Sequence, residues 1–517
     1  MSAAAAEAKQ DASQLISMTA PESPQTYVQT QDGQAAEQIN PGRQSLQIYR
    51  GIFFSFSIIL LQFLQMIPYG SGITGAANIA AQLGTSRSKA VWIVASYPLT
   101  QGSFVLIGGR LGAIYGHKNA VVAAGFIWVL FQLIAGFMRS VISLSLMRAL
   151  SGLGGAFIVP NAIALLTTTY PPGKMRNITV GLFGAMAPVG AGGGSVFSGF
   201  FGQLAPWWWI FFFLAILGTI VFGLFFLAVP GEKVALDPHG KFDYIGAYFG
   251  VAGLVLFNFC WVEASVKGWA ESYNYVFFIV SVIHFAFFIL WEYKFAEEPV
   301  LPLNIWNSPS FSAMTISAFL TFMGVGISIW YITAWNIYVR DYTIFSASAV
   351  YVPLTIGGCC AAILSAKAIR YLAVQYIMAI GSIATCASMV LNATMPEQQT
   401  YWAQEFPAMI LCSFGPDFMF TAAQIIASAT VRRRQQGIAG SLIATLLSYG
   451  LATGLGFAGT VELYTNDGGQ NLVQGYRNAL YLGVGMCGFA AFVAVFFVRI
   501  PKNVREGWDE DDMPEAK

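Results

Sequence analysis

The sequence predicts an all-α membrane protein with 14 transmembrane helices, two six-helix bundles plus two accessory helices in the central linker. Three observations carry this. The chain of 517 residues is 56% hydrophobic and 10% charged, with a mean hydropathy of +0.61. Soluble chains average roughly a quarter charged residues. Apolar runs long enough to cross a bilayer recur fourteen times between residues 48 and 499. Their polar interruptions group them as six, then two, then six.

Residues 1–46 are rich in Ala, Gln, Ser, Thr and Pro and nearly free of aromatics. Such a stretch cannot bury enough surface to fold, so it reads as a disordered cytoplasmic tail. It has no basic start leading into a short apolar run and cleavage site, so no signal peptide is expected. The first span then serves as its own targeting signal. The N-terminal bundle is assigned to 47–230, with spans near 48–80, 90–110, 119–138, 141–166, 178–203 and 207–229. The linker, 231–308, holds spans near 243–263 and 274–293. The C-terminal bundle, 309–500, holds 309–336, 346–366, 373–393, 404–430, 437–461 and 479–499. An acidic cytoplasmic tail, 501–517, follows.

Lysine and arginine placement orients these spans. With the N-terminus inside, 19 fall on the cytoplasmic side and 6 outside, and Arg148 alone lies within a span. An even number of spans puts both termini in the cytoplasm. The net charge of +1 makes no case for a nucleic-acid partner. All six cysteines lie in apolar segments, so no disulfide framework is expected. Three scattered histidines offer no metal-ligand spacing. Walker-type G-x-x-x-x-G-K-S/T is absent, and no cofactor or enzymatic activity is implied.

Span 4 is the stretch around which the rest is organised. Arg148 sits inside it, and a guanidinium keeps its charge. Charges within spans are costly and usually face a bundle interior or a wet cavity. Gly152 and Gly155 share its face and allow close helix approach. Pro160 loosens the backbone further on. The competing reading is an arginine snorkelling from the helix end.

Span 5 carries Gly181, Gly184, Pro188, Gly192, Ser195 and Gly199 at offsets of 3, 7, 11, 14 and 18, one narrow stripe on a helix. It predicts a close-packed interface, either static or acting as a hinge. A faint repeat links Pro98-Leu99-Thr100-Gln101-Gly102 in span 2 to Pro353-Leu354-Thr355-Ile356-Gly357 in span 10. Equivalent positions in the two halves favour duplication. Trp207-Trp208-Trp209 reads as an interfacial anchor. Asp417 is the acid deepest in any span. Asp243, Glu263, Glu292 and Glu462 fall at span ends, where water is expected to reach them.

The motifs together resemble the major facilitator superfamily. The turn after span 2, with Gly109, Arg110, Leu111, Gly116 and Lys118, is similar to its loop signature G-x-L-x-D-R-x-G-R-K. Arg148 and Gly152 resemble the exporter motif R-x-x-x-G. Span 5 resembles the antiporter motif G-x-x-x-G-P-x-x-G-G, with Ala187 in place of the glycine before proline. GWAESY, EYKFAEEPVLPLNIW and GPDFMFTAAQ are similar to pieces of the fourteen-helix drug:proton antiporter branch, fungal aminotriazole-resistance and boron-efflux type. The likeness covers about residues 48–500. Two departures stand out. Ala113 and Ile114 replace the loop's acid and arginine, so its charge relay is absent or rebuilt. Gln62 and Gln65 occupy span 1, where that branch usually carries a coupling aspartate.

The resemblance implies a secondary transporter of fungal type, a monomer in the lipid bilayer, working by alternating access. It would export small molecules (a drug, toxin or secondary metabolite) in exchange for protons, from the plasma or vacuolar membrane. Arg148, Asp417, Gln62, Gln65 and Asn161 are the candidates for proton coupling or the substrate cavity. Two alternatives stand: a proton-independent facilitator or importer of a small polar solute, and a transporter-derived sensor that moves nothing. The topology has a direct check. Reporters fused to each terminus should read cytoplasmic, and one in the 263–274 loop should read extracellular. The opposite result at any of the three breaks the fourteen-span arrangement.

Overall fold

A computed structural model of the chain describes residues 41–170, 174–231, 235–369, 371–430 and 436–500. Most of the expected N-terminal tail, all of the acidic tail and Arg432 to Arg434 lie outside the described residues. In lipid every backbone polar group must be satisfied within its own segment. The described residues are accordingly helices and short turns, without strands.

The N-terminal half holds α1 (Pro41–Gln82), α2 (Ala90–Tyr115), α3 (His117–Ala135), α4 (Val141–Thr169), α5 (Lys174–Leu204) and α6 (Trp209–Ala228). The linker holds α7 (Tyr244–Lys267) and α8 (Ser272–Lys294). The C-terminal half holds α9 (Pro309–Tyr338), α10 (Ile344–Ala349), α11 (Val352–Ala368), α12 (Val374–Thr394), α13 (Glu405–Thr430), α14 (Gln436–Thr465) and α15 (Leu472–Phe497). Fourteen of the resulting segments are long and apolar enough to cross a membrane, α10 and α11 together forming the tenth.

The differences from expectation have local causes. Helix α1 is described from Pro41, within the expected tail. The tenth span breaks at Val350–Tyr351, before Pro353, which has no N–H to donate. Helix α15 starts at Leu472, earlier than the apolar run suggests. Asn471 caps it by accepting from the Gln474 N–H, so its polar first turns remain helical. Gly116 joins α2 to α3 at φ 95°, a conformation that favours glycine. Of the tryptophan triplet, Trp207 is buried at 3% exposure and Trp209 is exposed.

We call the end bearing Arg110 and Lys118 the inner end, after the charge count. Within the N-terminal half, α4 packs on α2 and α3, and α3 on α6. In the C-terminal half, α12 packs on α13 and α15, and α9 on α14 and α15. The halves meet where α2 packs on α14, and where α5 packs on α10 and α11. The second span of each half thus packs on the fifth span of the other. This pseudo-symmetry accounts for the repeated Pro-Leu-Thr-x-Gly, which lies on α2 in one half and α11 in the other.

A buried ion pair sits near the outer end of the C-terminal half. Arg340 Nη1 pairs with Glu405, whose other oxygen accepts from Asn336. Both charged side chains are nearly inaccessible, at 2% and 0% exposure. Removing one partner strands a buried charge, at a cost of about 3–5 kcal/mol. Glu405→Ala should therefore sharply lower the melting temperature of the detergent-purified protein. Arg340→Met with Glu405→Leu should restore most of it. An unchanged melting temperature in Glu405→Ala would show that water reaches the pair.

Candidate functional site

The interface between the halves is built on glycines. A Cβ at Gly102 of α2 would lie 2.6 Å from the backbone nitrogen of Tyr449 on α14. At Gly109, nearer the inner end, one would lie 2.8 Å from Ser441 Oγ. On the other side, a Cβ at Gly192 of α5 would lie 1.6 Å from Thr355 Oγ1, and one at Gly199 2.6 Å from Ser348 Oγ. Further inward, Gly358 of α11 comes against Pro188 of α5. Beyond it the helices part. Gly181 and Gly184 meet nothing within 4 Å of a built Cβ. The span 5 stripe is therefore packed in its outer half, through Gly192, Ser195 and Gly199, and open in its inner half. The α5–α11 side is closed outside and open inside.

The outer closure also carries charge. Arg87, between α1 and α2, lies 3.4 Å from Glu462 of α14 and donates to the Tyr476 hydroxyl. Tyr331 donates to the other Glu462 oxygen at 2.9 Å, and the Tyr338 ring sits 4.2 Å from the guanidinium. Among the described residues this is the one ion pair joining the two halves. A cavity of about 280 Å³ lies beside it, lined by Asn78, Thr85, Arg87, Tyr338 and Ile344 among others. Sequence reasoning missed this cluster because Glu462 reads as a span-end acid. In the fold its side chain is 19% exposed. Glu292, read the same way, is 6% exposed and accepts from the Val300 N–H.

Arg148 does not reach the surface, being 1% exposed. Its Nε donates to the Ile93 carbonyl at 2.7 Å and an Nη to the Pro68 carbonyl at 2.8 Å. One planar fork thus ties α4 to α1 and α2 together. Gly72 leaves it room, since a Cβ there would lie 2.4 Å from Nη2. Gly152 serves the same packing, with Thr100 and the Tyr97 carbonyl pressed against it. Gln65 donates to Gln62 at 2.8 Å and accepts from Gln101, giving an amide chain between α1 and α2. Gln101 Oε1 has no hydrogen-bond partner among the described residues. Nearby, Tyr69 donates to Ser448 across the interface at 2.8 Å.

Asn161 lies apart from this group. It donates to the Gly108 carbonyl at 3.0 Å and contacts His117 Nδ1 at 2.7 Å, clipping α4 to the inner turn. In that turn, Gly109 makes room for Pro160 and Ser441, Leu111 packs against the linker cluster, and Lys118 caps α6 through the Phe226 and Val229 carbonyls. Arg110 pairs with Asp237 at 2.8 Å and with Glu298, both from the linker. Arg110 thus finds its charge partners in the linker, beside a loop that carries Ala113 and Ile114. Beside it, a hydrogen bond from Lys241 holds the exposed Glu297 carboxyl below its ordinary range.

Asp417 is partly buried on α13, one residue past Pro416. A Cβ at Gly358 would lie 3.4 Å from its Oδ2 and 2.5 Å from Pro188 Cβ. The acid therefore stands at the level where α5 and α11 part. Among the described residues no hydrogen bond or ion pair reaches its carboxylate. The structure brings Asp417 to Pro188, and Arg148 to the helices that carry Gln62, Gln65 and Gln101, while Asn161 belongs to the inner turn.

Two pseudo-symmetric six-helix halves, packed along one side and parted at the inner end of the other, define a secondary transporter rather than an enzyme. The chain matches the Major Facilitator Superfamily over residues 55–456 and belongs to it. It is 40% identical over 461 residues to an uncharacterized MFS-type transporter of Schizosaccharomyces pombe, covering 88% of each chain. It is 35% identical to the low affinity ammonium transporter of Saccharomyces cerevisiae, covering 84% of this chain and 86% of that one. It is 32% identical to the aminotriazole resistance protein of the same yeast, with 86% and 83% covered. A POT family transporter crystallised with a thioalcohol-conjugated peptide shares the fold at a TM-score of 0.64 and 12% identity, covering 86% of this chain and 95% of that one.

Arg148→Ala should abolish transport while leaving expression largely intact, because α1 and α2 lose their shared donor. Arg148→Lys should also be impaired, since one ammonium cannot reproduce the fork. Transport assays normalised to membrane expression check both. Wild-type flux in Arg148→Ala would show that the tie is dispensable.

Proposed function

We propose that the protein exports a small organic or weakly polar molecule by alternating access, driven by inward protons that bind at Asp417. The observation that carries this is the unpartnered Asp417 carboxylate beside Pro188 and Gly358, where the halves part. A carboxylate inside a span is costly unless paired, hydrated or protonated. Asp417 lacks a pair, so hydration and protonation are what remain to it. A group that gains and loses a proton as the mouth opens and closes can couple proton entry to the exchange of states. Gln62 and Gln65 cannot take a proton in this way, which leaves Asp417 as the coupling acid. The likeness to an aminotriazole resistance protein supports export. Small-molecule substrate, proton and bilayer are the partners in this reading. The chain acts as a monomer at the plasma membrane, with both termini cytoplasmic.

A second reading has its own support. The Gln62–Gln65–Gln101 amide chain suits a small polar solute, and one relative is named as an ammonium transporter. In that case the protein equilibrates solute without protons. Inside-out vesicles separate the readings. Accumulation that requires a pH gradient supports the antiporter, and gradient-independent equilibration supports the facilitator. Asp417→Asn keeps the shape and removes the titration. It should lose proton-driven accumulation and keep substrate exchange. Full uphill transport by Asp417→Asn would rule out the coupling role.

A further inference from the structure

Helix α7 is bonded to both halves along one side of the molecule. At the inner end, Arg110 of α2 pairs with Asp237 and Glu298 and donates to the Lys241 carbonyl at 3.1 Å. The Asp237 N–H donates to the Ala113 carbonyl at 2.9 Å. Ile107 of α2, Ala247 of α7 and Val300 of the linker form a separate apolar cluster at this end. Nearer the outer end, Trp92 donates to Glu263 at 2.8 Å and packs on Phe259. The same helix grips α14. Asn258 donates to Thr453 at 2.8 Å, and the Tyr449 hydroxyl donates to the Leu254 carbonyl at 2.7 Å. Trp261 stacks on Phe457 with ring centroids 3.7 Å apart. Gly456 permits that approach, since a Cβ there would lie 2.7 Å from the Trp261 backbone.

Among the described residues the opposite side has no such cover. There α5 meets α10 and α11 down to Pro188 and Gly358, and then the helices part. We propose that the linker is a brace that makes the α2–α14 side the hinge of alternating access, so that the inner mouth opens and closes at the α5–α11 side. This rests on the alternating-access part of the proposed function and not on proton coupling at Asp417. The physical ground is the number and kind of bonds a movement would break. Separating α2 from α14 means stripping the linker from one of them, with its ion pairs, buried amide bonds and stacked rings. Among the described residues no hydrogen bond or ion pair joins α5 to α11, so separating them breaks packing at Gly192 against Thr355 and Gly358 against Pro188. Arg110 is then a positioning residue. It holds the inner end of α2 to the linker rather than touching solute.

Distances test this without solute or a pH gradient, so the outcome is independent of what Asp417 does. The full chain is used with its six cysteines replaced by serine. Spin labels at Leu182→Cys and Leu364→Cys read the mouth. Labels at Tyr115→Cys and Ile438→Cys read the hinge. Gly199→Trp supplies the perturbation, because its side chain collides with Ser348 and wedges the outer end apart. Gly192→Trp does the same against Thr355 if the first variant fails to fold. The expected result is a mouth distance that shortens in the wedged protein while the hinge distance keeps its distribution. Adding Asp237→Asn and Glu298→Gln removes the Arg110 pairs at little change in shape, and the hinge distance should then move with the wedge. Mouth and hinge moving alike in the otherwise intact protein, or a mouth that does not move, overturns the proposal. A hinge that stays fixed after the double replacement overturns the role given to Arg110.

Discussion

The arrangement depends on helix backbones coming close across the membrane. Apolar burial cannot drive this in lipid, where the alternative environment is as apolar as a leucine side chain. What remains is tight packing, and small residues make it available. Gly102 and Gly109 bring α2 onto α14, Gly192 and Gly199 bring α5 onto the tenth span, and Gly456 brings α14 onto α7. Where a glycine has no neighbour, as at Gly181 and Gly184, the helices are apart. The same residue type marks both the closed part of the interface and the part free to close.

Charge inside this framework is handled in three ways, and each suits a different task. Arg148 is satisfied by backbone carbonyls of two neighbouring helices, which suits a permanent tie within one half. Arg340 and Glu405 satisfy each other out of reach of water, which fixes the outer end of the other half. Arg87 and Glu462 join the two halves and keep partial access to water. Asp417 stands outside all three, with its carboxylate unpaired among the described residues where the helices diverge. A transporter needs ties that hold within each half and contacts that release between them.

The linker changes how the inner turn is to be understood. The loop after α2 has lost the acid and arginine that its resemblance would lead one to expect. Arg110 nevertheless finds Asp237 and Glu298, residues far along the chain on either side of α7 and α8. The two extra helices are therefore tied into the charge balance of the inner face as well as into the packing of α2 against α14.

Composition and the length of the apolar runs were enough to determine a fourteen-span all-α protein, because a span is a local property: each run must satisfy its own backbone and match the bilayer. The Arg148–Gly152 pairing was likewise legible, since residues four apart share a helix face. Asp417 stood out because an acid among apolar residues is visible in one dimension. Only the tertiary structure decided what each of these meets. It turned Arg148 toward the Ile93 and Pro68 carbonyls, moved Asn161 to the inner turn beside His117, and brought Glu462 to Arg87 from the other half. It also divided the span 5 stripe into a packed and an open part. Those outcomes depend on contacts between residues far apart in the chain, and helical periodicity specifies which face a residue occupies but not which helix that face will meet.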